Sequence, residues 1–67
     1  MMFKAPKKIF IPSDENVLEL IREIKEKGEI SYEYKYIISE TKTGSTIVFD
    51  EKTIKDYLSK GIFKEIK

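Results

Sequence analysis

An α+β domain with the element order β-α-β-β-α-β is what this 67-residue sequence predicts, on three observations. Val17, Leu20, Ile21 and Ile24 recur at helical spacing behind Ser13 and Asp14. The run from Ile30 to Ile38 alternates apolar or aromatic residues with mainly polar ones at a period of two. Ile54, Tyr57 and Leu58 follow Asp50 and precede Gly61, again at helical spacing.

Each element has a local reason. Lys8-Ile9-Phe10-Ile11 is the first strand, a short one. After Pro12, Ser13 can accept a hydrogen bond from an unpaired backbone N–H, and Asp14 and Glu15 suit the positive end of a helix dipole. The i, i+3, i+4, i+7 set of Val17, Leu20, Ile21 and Ile24 then predicts a helix over 14–27, with Gly28 as its left-handed stop. The period-two run over 30–38 predicts a strand with Tyr32, Tyr34 and Tyr36 on its inner face. Glu40 to Ser45, containing Gly44, is a hairpin loop, and Thr46-Ile47-Val48-Phe49 is the returning strand. Asp50 caps a second helix that Gly61 ends, and 62–66 supplies a short last strand. This order is the ferredoxin-like split βαβ arrangement, with both helices on one face of an antiparallel sheet. Were the terminal strands irregular, an α-β-β-α core would remain, similar in outline to the double-stranded-RNA-binding architecture.

Length allows one domain, 1–67, with residues 1–7 read as a flexible basic tail. A chain this short buries only roughly 60% of the surface its unfolded form exposes, so its core is limited. The sequence is 40% hydrophobic and 37% charged with a net charge of +1, a globular composition. It has no Cys and no His, which removes disulfides, thiolate metal sites, thiol nucleophiles and histidine bases. Apolar runs stop at triplets such as Ile47-Val48-Phe49, far short of the roughly 20 residues of a membrane span. The expectation is a cytoplasmic protein with no cofactor and no metal. The bias toward Lys and Glu, with a single Asn and no Gln, suits a thermophile, although an AT-rich genome also enriches Lys and Ile.

No catalytic motif survives inspection. Lys42-Thr43-Gly44 and Ser39-x-x-Lys42 spell β-lactamase boxes, but those enzymes place them on separate elements, and here they share one loop. Lys42 precedes the glycine, the reverse of a phosphate-binding loop. The carboxylates fall off the apolar faces and read as solvated. The sequence therefore predicts a protein that is not an enzyme.

The same alternation that buries the tyrosines sends Phe10, Ile37, Val48 and Phe63 to the helix-free face of the sheet. Four large apolar groups with a charged rim mark a surface for a protein partner or a second copy. A small interaction module is the leading expectation. The alternative is RNA or DNA binding by the same face and the basic N-terminus, through Lys7, Lys8, Phe10 and Lys35. RNA-recognition domains share the predicted element order, and residues 1–12 carry +3 while 13–28 carry −2.

Overall fold

A computed structural model describes residues 3–67 of the chain. In order, these residues form β1 (Lys8–Ile11), β2 (Asn16–Glu26), β3 (Glu29–Ile38), β4 (Thr46–Asp50), α1 (Glu51–Ser59) and β5 (Lys64–Glu65). One sheet holds the five strands in the order β4-β3-β2-β1-β5, and each neighbouring pair is antiparallel. β1 to β4 form a meander. α1 then carries the chain back across the sheet to the far edge, where β5 joins β1.

The ferredoxin-like order is therefore corrected, and the α-β-β-α alternative with it: 14–27 is not a helix. Its residues make the longest strand, 11 residues, preceded by a four-residue loop and followed by a tight turn. The signals that predicted a helix belong to these turns. Pro12, Ser13 and Asp14 form a β-turn closed by the Asp14 N–H on the Ile11 carbonyl at 3.3 Å, with Pro12 in the position that its fixed φ favours. Lys27 and Gly28 sit at φ 48° and 80°, the two positive angles of a type I′ hairpin turn. Glycine serves that turn for the same reason that it would end a helix.

The apolar spacing has a physical cause as well. Leu20 lies opposite Tyr34 and Arg22 opposite Glu33, so Ile21 is an extra residue, a β-bulge. Before it, Asn16, Leu18 and Leu20 take the inner face. After it, Glu23 takes that face opposite Tyr32, and Ile24 points the other way, opposite Ser31. One inserted residue changes the phase of a period-two pattern, and the resulting spacing of Val17, Leu20, Ile21 and Ile24 imitates a helix.

The remaining elements match the sequence, except that the last strand, expected over 62–66, covers only Lys64–Glu65. β1 coincides with 8–11, β3 covers the tyrosine strand and β4 the returning one. The Asp50 carboxylate accepts the Thr53 N–H at 2.8 Å, the cap expected of it, and the Thr53 side chain together with this N–H holds its carboxyl below the usual range. Gly61, at φ 78°, donates to the Leu58 carbonyl and ends α1.

The core fills one face of the sheet: Ile9, Ile11, Leu18, Tyr32, Tyr34 and Tyr36 from the strands, Ile54 from α1, and Phe63. Two covers close it. α1 brings Ile54, Tyr57 and Leu58, and the segment 3–7 brings Phe3, Ala5 and the buried Pro6. Within the stretch expected as a tail, Phe3, Ala5 and Pro6 thus lie against the core while Lys4 and Lys7 are exposed, and residues 1 and 2 lie outside the described residues. The Phe3 ring meets Tyr32 edge-on at 5.9 Å, and the Tyr34 hydroxyl donates to the Pro6 carbonyl at 2.7 Å. That bond satisfies the one polar atom of a completely buried tyrosine at the centre of the sheet.

Two stability tests follow from this packing. Ile54 is fully buried on the short helix, and Ile54→Ala is expected to cost about 2–5 kcal/mol in urea titrations, much of the roughly 5–15 kcal/mol available to an ordinary domain. Burial pushes the Tyr34 hydroxyl up to about 12, with smaller contributions from Tyr32 and Glu65. Unfolded tyrosine titrates near ~10, so above that pH the unfolded chain binds fewer protons than the folded one. Stability is full below this value and falls as pH rises toward the folded pKa. Melts at neutral pH and at about pH 11 should show a smaller alkaline loss for Tyr34→Phe than for the wild type, from a starting stability about 1–3 kcal/mol lower because Pro6 loses its donor.

Candidate interaction face

The second face of the sheet carries no helix, and the register determines which side chains share it, because residues directly opposite one another in a ladder point the same way. Phe10 lies opposite Val17 on one side and Lys64 on the other. Val17 lies opposite Ile38, where β3 carries its own bulge, so Ile37 and Ile38 both lie against Val17. Phe10, Val17 and Ile37 are half-buried and Ile38 is exposed, which gives an apolar row across β1, β2 and β3. Beside this row a cleft of about 650 Å³ opens between the β1–β2 and β3–β4 loops, with Asp14, Asn16, Ile38, Glu40 and Lys42 among its walls.

A charged belt crosses the middle of the face. Lys8 lies opposite Glu19, and Glu19 opposite Lys35. The Arg22 guanidinium pairs with the Glu33 carboxylate on the next rung. Ile21, at the bulge, and Val48, opposite Glu33 and half exposed, lie on this second rung beside the charges, and Ile24 lies beyond it. Among the described residues Lys8, Lys35 and Lys64 take part in no ion pair; Lys8 and Lys64 lie nearest Phe10, and Glu19 stands between Lys8 and Lys35.

Of the four side chains predicted to form the surface, Phe10 and Ile37 come together, with Val17 between them. Val48 shares their face but lies at the β4 edge, beside Glu33 of the belt. Phe63 does not belong to it: only 3% exposed, it sits in the core with its ring at 5.2 Å from Phe49 and 5.0 Å from Tyr57. The reason is local. β5 is only two residues long, and the turn after Gly61, held by the Phe63 N–H on the Tyr57 carbonyl, rotates this side chain under α1 before the strand begins. Among the residues of the nucleic-acid alternative, Lys8, Phe10 and Lys35 lie on the face. Lys7 precedes the strand, its carbonyl accepting the Leu20 N–H.

Sequence reasoning missed Val17, Ile21 and Ile38, which the two bulges bring to this face, and Lys64, which faces Phe10. The two-residue spacing of Lys27-Gly28 between β2 and β3 was the signal that could have found the first of these, since a hairpin there makes 16–26 a strand. The loop bearing Lys42-Thr43-Gly44 is held by its own polar groups: the Lys42 N–H donates to Ser39 Oγ at 3.1 Å and the Thr43 hydroxyl to the Ser39 carbonyl at 2.6 Å. The Lys42 ammonium lies over the Tyr36 ring. Among the described residues, no three of His, Cys, Asp or Glu are grouped to share a metal ion, and no helix is long and apolar enough to cross a membrane.

Comparison with known proteins finds no matching family model, no similar curated protein and no similar solved structure.

The inside and outside assignments can be separated by one set of variants. Val48→Asp is expected to keep the folded circular dichroism spectrum and lose about 1 kcal/mol or less, as exposed positions do, and the half-buried Phe10→Asp to stay folded with a loss of about 1–3 kcal/mol. Phe63→Asp places an unpaired carboxylate in the core and is expected to unfold the chain.

Proposed function

We propose that this protein is a small non-enzymatic interaction module, acting as a regulator, inhibitor or accessory subunit, that holds a protein partner against its helix-free sheet face. The observation that carries this reading is the apolar row of Phe10, Val17 and Ile37 across three adjacent strands, bordered by Lys8, Lys35 and Lys64, which form no ion pair among the described residues. The partner that suits it presents an apolar ridge flanked by Asp or Glu. The ridge would displace water from the row, while the carboxylates would meet Lys8, Lys35 and Lys64 and set the orientation.

A second reading, nucleic-acid binding, is favoured by one specific feature: Lys64 lies directly opposite the half-buried Phe10, beside Lys8 of the same strand as Phe10, an arrangement suited to an unpaired base and its phosphates. The net charge of +1 supplies no larger field, so binding of this kind would be weak and salt-sensitive.

Capture experiments from a lysate of the source cell, using the immobilised full chain, test the first reading. A protein retained by the wild type should be lost with Phe10→Asp and with Ile37→Asp while both variants remain folded. An identical set of captured proteins for all three chains would overturn it. Titration of labelled RNA and DNA at two salt concentrations tests the second, with binding at low salt that Lys64→Glu weakens as the expected result.

A further inference from the structure

Among the open stretches of the sheet's edge in the described residues, three belong to β2, β5 and β4, and they are not built alike. The half of β2 beyond β1, Arg22–Glu26, is charged at four of its five positions and follows the bulge at Ile21. β5 is two residues long and both are charged. Bulges, charges and short length are the features that keep a strand edge from pairing with another chain. β4 has none of them: Thr46-Ile47-Val48-Phe49-Asp50 is β-branched and apolar, without Lys, Pro or a bulge, and carries a single charge at its end.

The backbone of this edge has free groups. Tyr36 turns both of its backbone groups toward the β4 side, its N–H to the Ser45 carbonyl at 2.9 Å and its carbonyl to the Gly44 N–H at 2.8 Å. Alternation along β3 gives Tyr34 and Tyr32 the same direction, so their partners Ile47 and Phe49 bond inward. Thr46, Val48 and Asp50 then direct their N–H groups outward, where the sheet ends.

We propose that β4 pairs antiparallel with β4 of a second copy about a two-fold axis at Val48. This register places Val48 against Val48 of the other copy, Ile47 against Phe49, and Thr46 against Asp50. Every cross-strand pair is then apolar or joins a hydroxyl to a carboxylate, and no like charges face each other. The outward Val48 groups exchange hydrogen bonds, and the Asp50 N–H reaches the Thr46 carbonyl. The result is a continuous ten-stranded sheet whose two helix-free faces lie on the same side. Five residues make a small interface, so association depends on concentration. The inference stands apart from partner binding by the helix-free face, because Phe10→Asp leaves the β4 edge intact.

Sedimentation equilibrium of the full chain over a wide concentration range is the primary test, with a mass rising from one chain to two as the expected result. Val48→Lys opposes two ammonium groups at the axis, and Val48→Pro removes an N–H that has no partner within the monomer, a change edge strands tolerate. Both should abolish the rise, while Phe10→Asp should not. The chain has no cysteine, so Val48→Cys introduces a single thiol. Its Cα would lie about 5.5 Å from its counterpart, within reach of a disulfide. Oxidation should link Val48→Cys chains far faster than Ile21→Cys chains, whose thiol sits at the β2 bulge. A single-chain mass at every concentration, a dimer that Val48→Lys leaves unchanged, or equal linking of the two cysteine variants would overturn the proposal.

Discussion

Because Lys27 and Gly28 close a two-residue turn, Glu26 lies opposite Glu29, and the pairing of β2 with β3 follows rung by rung from that point. Two bulges modify it, Ile21 on β2 and Ile37 on β3, one on each strand. Their offsets cancel, so the register at Val17 and Ile38 returns to that of the turn. Between the bulges the shifted register puts Leu18 opposite Tyr36 and Leu20 opposite Tyr34, which fills the inner face at the centre of the sheet. Without the shift, aliphatic side chains would meet the polar side of β3. β1 can then lie against β2, and α1 has an apolar floor to cross.

That floor is covered by little chain. The helix has nine residues, about 13.5 Å of length, less than the width of five strands at about 4.8 Å spacing. Phe3, Ala5 and Pro6 supply the remaining cover, and the Tyr34 hydroxyl on the Pro6 carbonyl ties this segment to the middle of β3. The Lys55 ammonium lies over the outer side of the Phe3 ring, linking the segment to α1 as well. A small domain with one packed face thus uses its N-terminal residues as a second layer beside the helix.

Most of the elements were legible in the sequence, and the one that was not explains the change of fold. The tyrosine strand kept an unbroken alternation from Ile30 to Tyr36, Asp50 and Gly61 bracketed α1, and β1 was a compact apolar run. β2 was illegible because a bulge is a backbone event with no residue type of its own. Ile21 could have continued either pattern, and Ser13, Asp14 and Gly28 serve turns as readily as helix ends. Reading this one segment as a helix changed the topology while leaving the inner face of β3 correctly assigned. The candidate face was legible where strands are regular, at Phe10 and Val48, and at Ile37, which keeps the outward side of the alternation although the β3 bulge falls on it. It was misread at Phe63, where a turn decides the direction, and left incomplete at Val17 and Ile38, whose partners depend on the bulges.

The helix-free face also explains how a sheet with one packed layer can leave its other side to water. An antiparallel sheet tolerates a wet face when that face is polar enough, and here the belt of Lys8, Glu19, Lys35, Arg22 and Glu33 occupies the centre, where an uncovered apolar patch would be largest. The apolar groups are displaced around it, Phe10, Val17 and Ile37 toward one end, Ile24 toward the other, and Val48 at the β4 edge beside Glu33. This division keeps each patch small and gives each a charged neighbour. A ligand resting on the Phe10 row must therefore satisfy Lys8 and Lys35 or leave them desolvated, and the cost of leaving them so rejects surfaces that are merely greasy. In a chain with few resources for a core, the arrangement that makes the open face soluble is the same one that would make it selective.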